Sequence, residues 1–410
     1  MNLLENMEKY ADLILKVGIN LEKGQKLVIK TDTDSIELAR VIQEKAYDIG
    51  ARDVYMDISD SKSTLIKFLK APDEAFKEYP SWKAEGMEKL AEDGAAFLSI
   101  ISEDPDLFKN VNPDRLSKWN ITASKALKKY RNILMSGSIN WCVVASASQR
   151  WADKVFPNIE KNKRLEKLWE YIFKTVRVDN LDPISAWKIH MQNLNDKLSY
   201  LNKKQFDKLI YNSKTANLEI GLPKDHIWIG GGLKNTKSLV EFVPNLPTEE
   251  IFTMPDRNRI DGIIKSTMPL SYSGNIIENF ELKFKDGKVI DFKAEKGEKI
   301  LRSILETDEN AKYIGEVALV PDNSPISNLN LLFYNTLFDE NASCHLAFGE
   351  AYRYTLKNGS NMTEEEFRNK GGNTSLTHVD FMVGSSDLEI IGVDKEGNEE
   401  KIFSDGNWAF

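Results

Sequence analysis

The run KLVIKTDTDSIELARVIQEKAYDIGA, Lys26 to Ala51, decides the class of the first half of the chain. KLVIKT is short and β-rich. Behind it Ile36, Ala39, Val41, Ile42 and Ala46 approximate a helical stripe. Thr33, Asp34 and Ser35 offer capping oxygens at the start of that helix, and Gly50 suits its end. The alternation continues outward. RDVYMDI (52–58) reads as strand, SKSTLIKFLK (61–70) as helix, GAAFLSIIS (94–102) as strand and SKALKKYRNILM (124–135) as helix. NWCVVAS (140–146) is a further strand, and a helical stretch then ends near Thr175. Strands alternating with helices predict βαβ units around a mainly parallel sheet. The expected extent of this α/β domain is 1–180.

DNLDPIS, Asp179 to Ser185, breaks the pattern. The helix AWKIHMQNLNDKLSYLNKK follows, and past Ala216 the runs are short and strand-like: NLEIGL, IDGIIKST, ELKFKDGKVIDFKAEKG, YIGEVALV, VDFMVGS, LEIIGV and EEKIF. Asp286-Gly287 between two alternating runs is a hairpin signal, and Glu396-Gly397-Asn398 is a weaker one. The second domain, 181–410, is expected to be strand-rich α+β.

The chain has 410 residues, enough for two or three domains. Against 55 Lys and Arg stand 63 Asp and Glu, a net charge of −8. That balance disfavours a nucleic-acid surface or an anionic membrane as partner. No run of about 18 apolar residues occurs, so no membrane span is expected. The first residues mix acids into an amphipathic pattern unlike a signal peptide. Cys142 and Cys344 form neither a CxxC nor a disulfide framework, which suits a reducing compartment. A cytoplasmic protein is expected. There is no HExxH, no GxxxxGK[ST] and no GxSxG; Gly230-Gly231-Gly232 lacks the spacing of a dinucleotide loop.

There are four histidines: His190, His226, His345 and His378. His378 and Asp380, two apart in a β-like run, share one strand face. They suit a pair of metal ligands or a hydrogen-bonded strand pair. If CHLAFGEAY is helical, His345 and Tyr352, seven apart, fall on one face. Glu316 stands alone in the apolar run YIGEVALV. Such a carboxylate is costly unless it is paired, metal-bound or turned to solvent. Glu249-Glu250 reads either as part of a site or as an acidic pair at a helix start. His190 and His226 read as ordinary surface or packing residues, Cys344 as a buried small residue. Several carboxylates with two imidazoles make the ligand inventory of a two-metal hydrolytic site, in which a nearby phenol such as Tyr352 could donate to an oxyanion.

At these residues the sequence resembles the M29 metallopeptidases, the aminopeptidase T and aminopeptidase S group. The matching motifs are NLPTEEIFT, GEVALV, NTLFDENASCHLAFGEAY and NTSLTHVDFMVGS. The ligand spacing agrees as well: 66 residues from Glu250 to Glu316, 29 to His345, 7 to Tyr352, 26 to His378 and 2 to Asp380. The resemblance implies a broad-specificity aminopeptidase that attacks peptides with a free N-terminus through a metal-bridging hydroxide. It implies two divalent metal ions per subunit (Zn, Co, Mn or Mg). Glu250, Glu316, His345, His378 and Asp380 would be ligands, with Glu316 bridging. Glu340 would be a further ligand or active-site acid, and Tyr352 the active-site tyrosine. It also implies a homodimer. One departure is VASASQRWADKVFPN (144–158), where relatives tend to carry a proline-rich segment. A two-metal hydrolase of another bond, phosphoester or non-peptide amide, and a non-catalytic metal-stabilised binding protein are the alternatives.

Overall fold

The computed structural model describes residues 2–102, 104–272 and 275–410. Its first unit is organised by a five-stranded, all-parallel sheet. The strand order is Asn245–Leu246, Trp141–Ala145, Ala96–Ile101, Lys26–Asp32, Asp53–Ser59. Leu27, Val28 and Ile29 are all buried because helices cover both faces of such a sheet, which is why this strand reads as an unbroken apolar run. The helix Ile36–Asp48 buries Leu38, Ala39, Ile42 and Ala46. A single turn, Thr33–Ser35, precedes it and is capped by the Asp32 side chain, one residue earlier than the sequence suggests. The stretch expected as one helix over 124–135 is two, Pro113–Ala126 and Lys128–Met135. In the departing segment 144–158, the Ser148 side chain accepts from the Trp151 N–H and starts the helix Gln149–Val155, with Trp151 fully buried.

The second unit contains two antiparallel arrays. The larger includes Lys208–Asn212, Ala216–Gly221, Ile260–Lys265, Asn275–Lys285, Glu389–Val393 and Glu399–Ser404. Asp286 and Gly287 both take positive φ, 49° and 81°, and join Asn275–Lys285 to Lys288–Lys296 in the hairpin expected there. The smaller array has the strand order His378–Met382, His345–Gly349, Ile314–Leu319, Ile251–Thr253, Ile229–Gly230. Residues of both arrays share one hydrophobic core, among them Leu209, Ile220, Ile264, Val317, Leu346 and Phe381.

The sequence reading places one boundary at 180. The structure divides the chain otherwise: residues up to Ile189 group with Gly232–Pro247, and His190–Gly231 with Thr248–Phe410. The physical reason is Asn245–Leu246. It pairs in parallel with Val143 and Val144, so a segment of the later sequence completes the first sheet.

Candidate metal centre

The smaller sheet positions the site. Glu316 lies on its central strand, whose residues Ile314–Leu319 are all buried. Across the ladder, Ala347 is the partner of both Glu316 and Asp380, so those two carboxylates rise from the same face on either side of a methyl group. On that face His345 pairs with Ala318, and His378 with Gly349. Glu250 directly precedes Ile251, which pairs with Leu319. Alternation therefore turns Glu250 to the face that carries Glu316 and Ala318. Small residues stand between the functional ones. Gly349 has φ +91°, and a Cβ there would lie 2.1 Å from the Thr377 carbonyl oxygen.

CHLAFGEAY is not helical. His345–Gly349 is a buried strand, and Tyr352 begins the turn Arg353–Thr355. His345 and Tyr352 come to one site through the strand end rather than a helix face. The Tyr352 ring lies 5.0 Å, centroid to centroid, from that of His378 and stacks on Tyr354 at 5.2 Å.

Two groups of candidate ligands result: Glu250, Glu316 and His345, and Glu316, His378 and Asp380. In each, one ligating atom per residue lies within 4.8 Å of the others. His345 Nε2 is 3.3 Å from Glu250 Oε2 and 3.6 Å from Glu316 Oε1. His378 Nε2 is 3.3 Å from Asp380 Oδ1 and 3.9 Å from Glu316 Oε2. Glu316 is common to both groups. Each imidazole is held by its far nitrogen, Nδ1 of His345 at 3.1 Å from the Ser343 carbonyl and Nδ1 of His378 at 2.8 Å from the Glu350 carbonyl. A carbonyl only accepts, so Nδ1 carries the proton of each neutral ring and Nε2 turns a lone pair toward the carboxylates. This is the orientation metal-binding histidines take.

The electrostatics call for cations. Burial, with the charges of Asp380 and Glu250, pushes the Glu316 carboxyl up, against the pull of His345 and His378. Burial opposes charge on both imidazoles, yet Glu250 and Glu316 hold His345 well above its ordinary value, and Asp380 holds His378 at about 9. Desolvation pushes the partly buried Asp380 carboxyl up, but His378 holds it below its ordinary value. His345 Nε2 and Glu316 Oε2 are buried without a hydrogen-bond partner among the described residues. His345 Nε2 borders Glu250, Glu316 Oε2 borders His378, and such unpartnered polar atoms on a carboxylate-rich face fit divalent ions.

Glu340, on the turn Glu340–Ala342, joins neither ligand group. Burial first, and then the charges of Glu250 and Asp380, push its carboxyl well up, which puts it in the same field. Its neighbour Asn341 is fully buried and accepts the Glu249 N–H at 2.7 Å. Glu249-Glu250 starts no helix, so the helix-dipole reading falls. His190, read as ordinary, sits 2.8 Å from the Thr248 carbonyl and 3.6 Å from Glu249 Oε2, beside Glu250. Asn341, His190 and Tyr354 escaped the sequence reading. Asn341 stands inside a quoted motif and Tyr354 two residues past one, which could have flagged them; nothing near His190 in the sequence does so. A larger concavity of about 740 Å³, lined by Arg257, Lys288, Asp308 and Tyr313, gathers mixed charges and holds none of these ligands.

The family described as thermophilic metalloprotease (M29) matches residues 3–408. The chain belongs to the M29 metallopeptidase family. It is 48% identical over 406 residues to aminopeptidase AmpS of Bacillus subtilis, covering 99% of each chain. It is 47% identical to aminopeptidase 2 of Geobacillus stearothermophilus, covering 99% of this chain and 98% of that one. A solved structure of wild-type AmpT from Thermus thermophilus superposes with a TM-score of 0.94 at 36% identity, covering 100% of both chains. This M29 member is accordingly a metal-dependent aminopeptidase, a hydrolase, and the two alternatives are not favoured. It has the expected architecture, a parallel α/β part followed by strand-rich antiparallel sheets. Among the described residues no helix is long and apolar enough to cross a membrane.

Proposed function

We propose that the site holds two divalent ions per subunit, drawn from Zn, Co, Mn and Mg, and releases the N-terminal residue from peptides with a free amino end. The observation that carries the reading is the sharing of Glu316 by two ligand groups. Glu250 and His345 would complete one ion's set, His378 and Asp380 the other's, with Glu316 bridging. Glu340 would serve as a further ligand or as an acid beside the set. When bound, the ions supply Lewis acidity at the scissile carbonyl and a water of lowered pKa.

The chain's own residues do the rest. Nδ1 bonds to backbone carbonyls keep both imidazoles from rotating away. Tyr352 is buried enough that its phenol stays protonated, so it acts as a donor to the oxyanion that develops on the attacked carbonyl. The same reading takes the working form as a homodimer, as the resemblance implies. It takes the compartment as the reducing cytoplasm, which suits two buried free cysteines.

Metal analysis of the purified protein, joined to hydrolysis of a free-amine peptide and its N-acetylated twin, tests the reading. Two ions per chain and cleavage of the free-amine peptide alone are expected. One ion, or equal cleavage of both peptides, would overturn it. Mass in solution tests the dimer.

A further inference from the structure

A cavity of about 330 Å³ opens beside the His378–Asp380 half of the site. His378 and Asp380 form part of its wall; Leu270, Tyr272, Tyr334 and Met382 give it an apolar part, and Ser271, Asn335, Thr336 and Asp339 a polar one. We propose that this cavity receives the side chain of the N-terminal residue and selects an apolar or aromatic one. The inference rests on the aminopeptidase reading above and adds to it the class of residue released.

Position is the first argument. A side chain seated against His378 and Asp380 is attached to a backbone that lies over the ligand face. The residue an exopeptidase releases is the one it can enclose, whereas the chain beyond the scissile bond must leave toward solvent. A partly open space of about 330 Å³ has room for one large side chain reaching in from the ligand face.

Chemistry is the second. About half of the wall is aromatic or aliphatic, and among the described residues neither lysine nor arginine lines it, so an acidic side chain would find no fixed cation beyond His378, which the metal site claims. The remaining carboxylate, Asp339, is buried and already engaged. Its Oδ1 accepts the Phe333 N–H at 2.7 Å and its Oδ2 the Asn335 N–H at 2.9 Å. It is not turned to meet a basic side chain. An uncharged occupant is left.

The third argument is that the wall is held in place. Tyr334 has φ +56°, a left-handed conformation that a bulky residue adopts only when its surroundings impose it. Asp339 imposes it by gripping the amides on both sides of Tyr334. Asn335 in turn accepts the Leu337 N–H at 3.1 Å, which fixes the start of the short helix carrying Asp339. Asp339 is thus a positioning residue for an aromatic wall, and the strain at Tyr334 is spent on the shape of the cavity.

Ser271 lines the cavity and belongs to no ligand group, so Ser271→Phe fills the space from one side. Thr336→Trp, from the exposed start of the short helix, is the second variant should the first fail to fold. The measurements are kcat/KM on Phe-Ala, Ala-Ala, Lys-Ala, Glu-Ala and Ala-Phe, and calorimetric binding of phenylalaninamide to the metal-loaded protein. The unaltered chain should favour Phe-Ala over the other first residues. The filled variant should lose about tenfold or more of its Phe-Ala to Ala-Ala ratio. Phenylalaninamide binding should weaken in parallel while metal content holds. Turnover with an unchanged ratio, or a shift confined to Ala-Phe, would overturn the pocket and leave the aminopeptidase standing. Absence of turnover on every free-amine peptide would overturn the aminopeptidase, and the phenylalaninamide titration would still judge the pocket: affinity equal in the two proteins rejects it.

Discussion

Glu316 and Asp380 share one rung of the smaller sheet, with only Ala347 between them. A methyl group is the most that fits under two converging carboxylates if ions are to sit above them. Ala347→Leu should therefore abolish metal binding through bulk alone, at a stability cost of about 1–3 kcal/mol. Metal content measured beside a thermal melt checks this. A folded variant that still carries both ions would mean the ions sit elsewhere.

Glu316→Gln should be the most damaging single carboxylate change. It removes charge from both ligand groups at once, while Glu250→Gln or Asp380→Asn touches one. Metal analysis of the three variants should show loss of both ions in the first and chiefly of one in each of the others.

Tyr352→Phe should keep metal and Michaelis constant and lose about 10²–10³ in turnover, the usual effect of removing one oxyanion donor. Full activity would make Tyr352 a packing residue, stacked on Tyr354 and beside His378. Loss of metal would make it a ligand.

Asn341→Ala should strand the buried Glu249 N–H, which it accepts at 2.7 Å, and free the Leu337 carbonyl to which it donates at 3.0 Å. A lost partner of this kind costs about 1–3 kcal/mol. Metal affinity should also fall about 10–100-fold, because the segment carrying Glu250 loses its anchor. A metal titration together with a melt separates the two effects; an unchanged affinity would confine Asn341 to stability.

His226 gives the fold an acid limit. Burial depresses its imidazole below the ordinary value, against the pull of the Pro223 carbonyl, Asp225 and Asp207, with Lys395 adding to the depression. The unfolded chain takes up this proton near pH 6.5, while the folded chain resists it. Stability is therefore present above about pH 6.5 and drains away as pH falls toward the lower folded value. In His226→Gln the drop in melting temperature between about pH 7.5 and pH 5.5 should be smaller than in the unaltered chain. An equal drop would assign the acid limit to other groups.

Local periodicity made much of this legible. The parallel strands, the Asp286-Gly287 hairpin and the shared face of His378 and Asp380 follow from patterns confined to a few neighbours. His345–Gly349 was not legible, because a strand buried on both faces shows no alternation and can pass for a helix. The role of Asn341 and the neighbourhood of His190 depend on partners at distant positions, and their residue types have many commoner uses. The strain at Tyr334 leaves no mark in composition. Glu340 is legible as an acid near the site, but its absence from both ligand groups is a matter of distance alone.

The brief strand Asn245–Leu246 also governs how the polypeptide can be taken apart. Severing it after residue 180 would not release the parallel sheet as a self-sufficient piece. The fragment would lack its outermost strand and expose the backbone of Trp141–Ala145 as an open edge, a template for pairing with stray chains. The companion fragment would carry an orphaned segment, Gly232–Pro247, whose partners had been removed. Neither half is encoded in one uninterrupted stretch, so deletion series and domain exchanges in this protein have to respect three junctions rather than one.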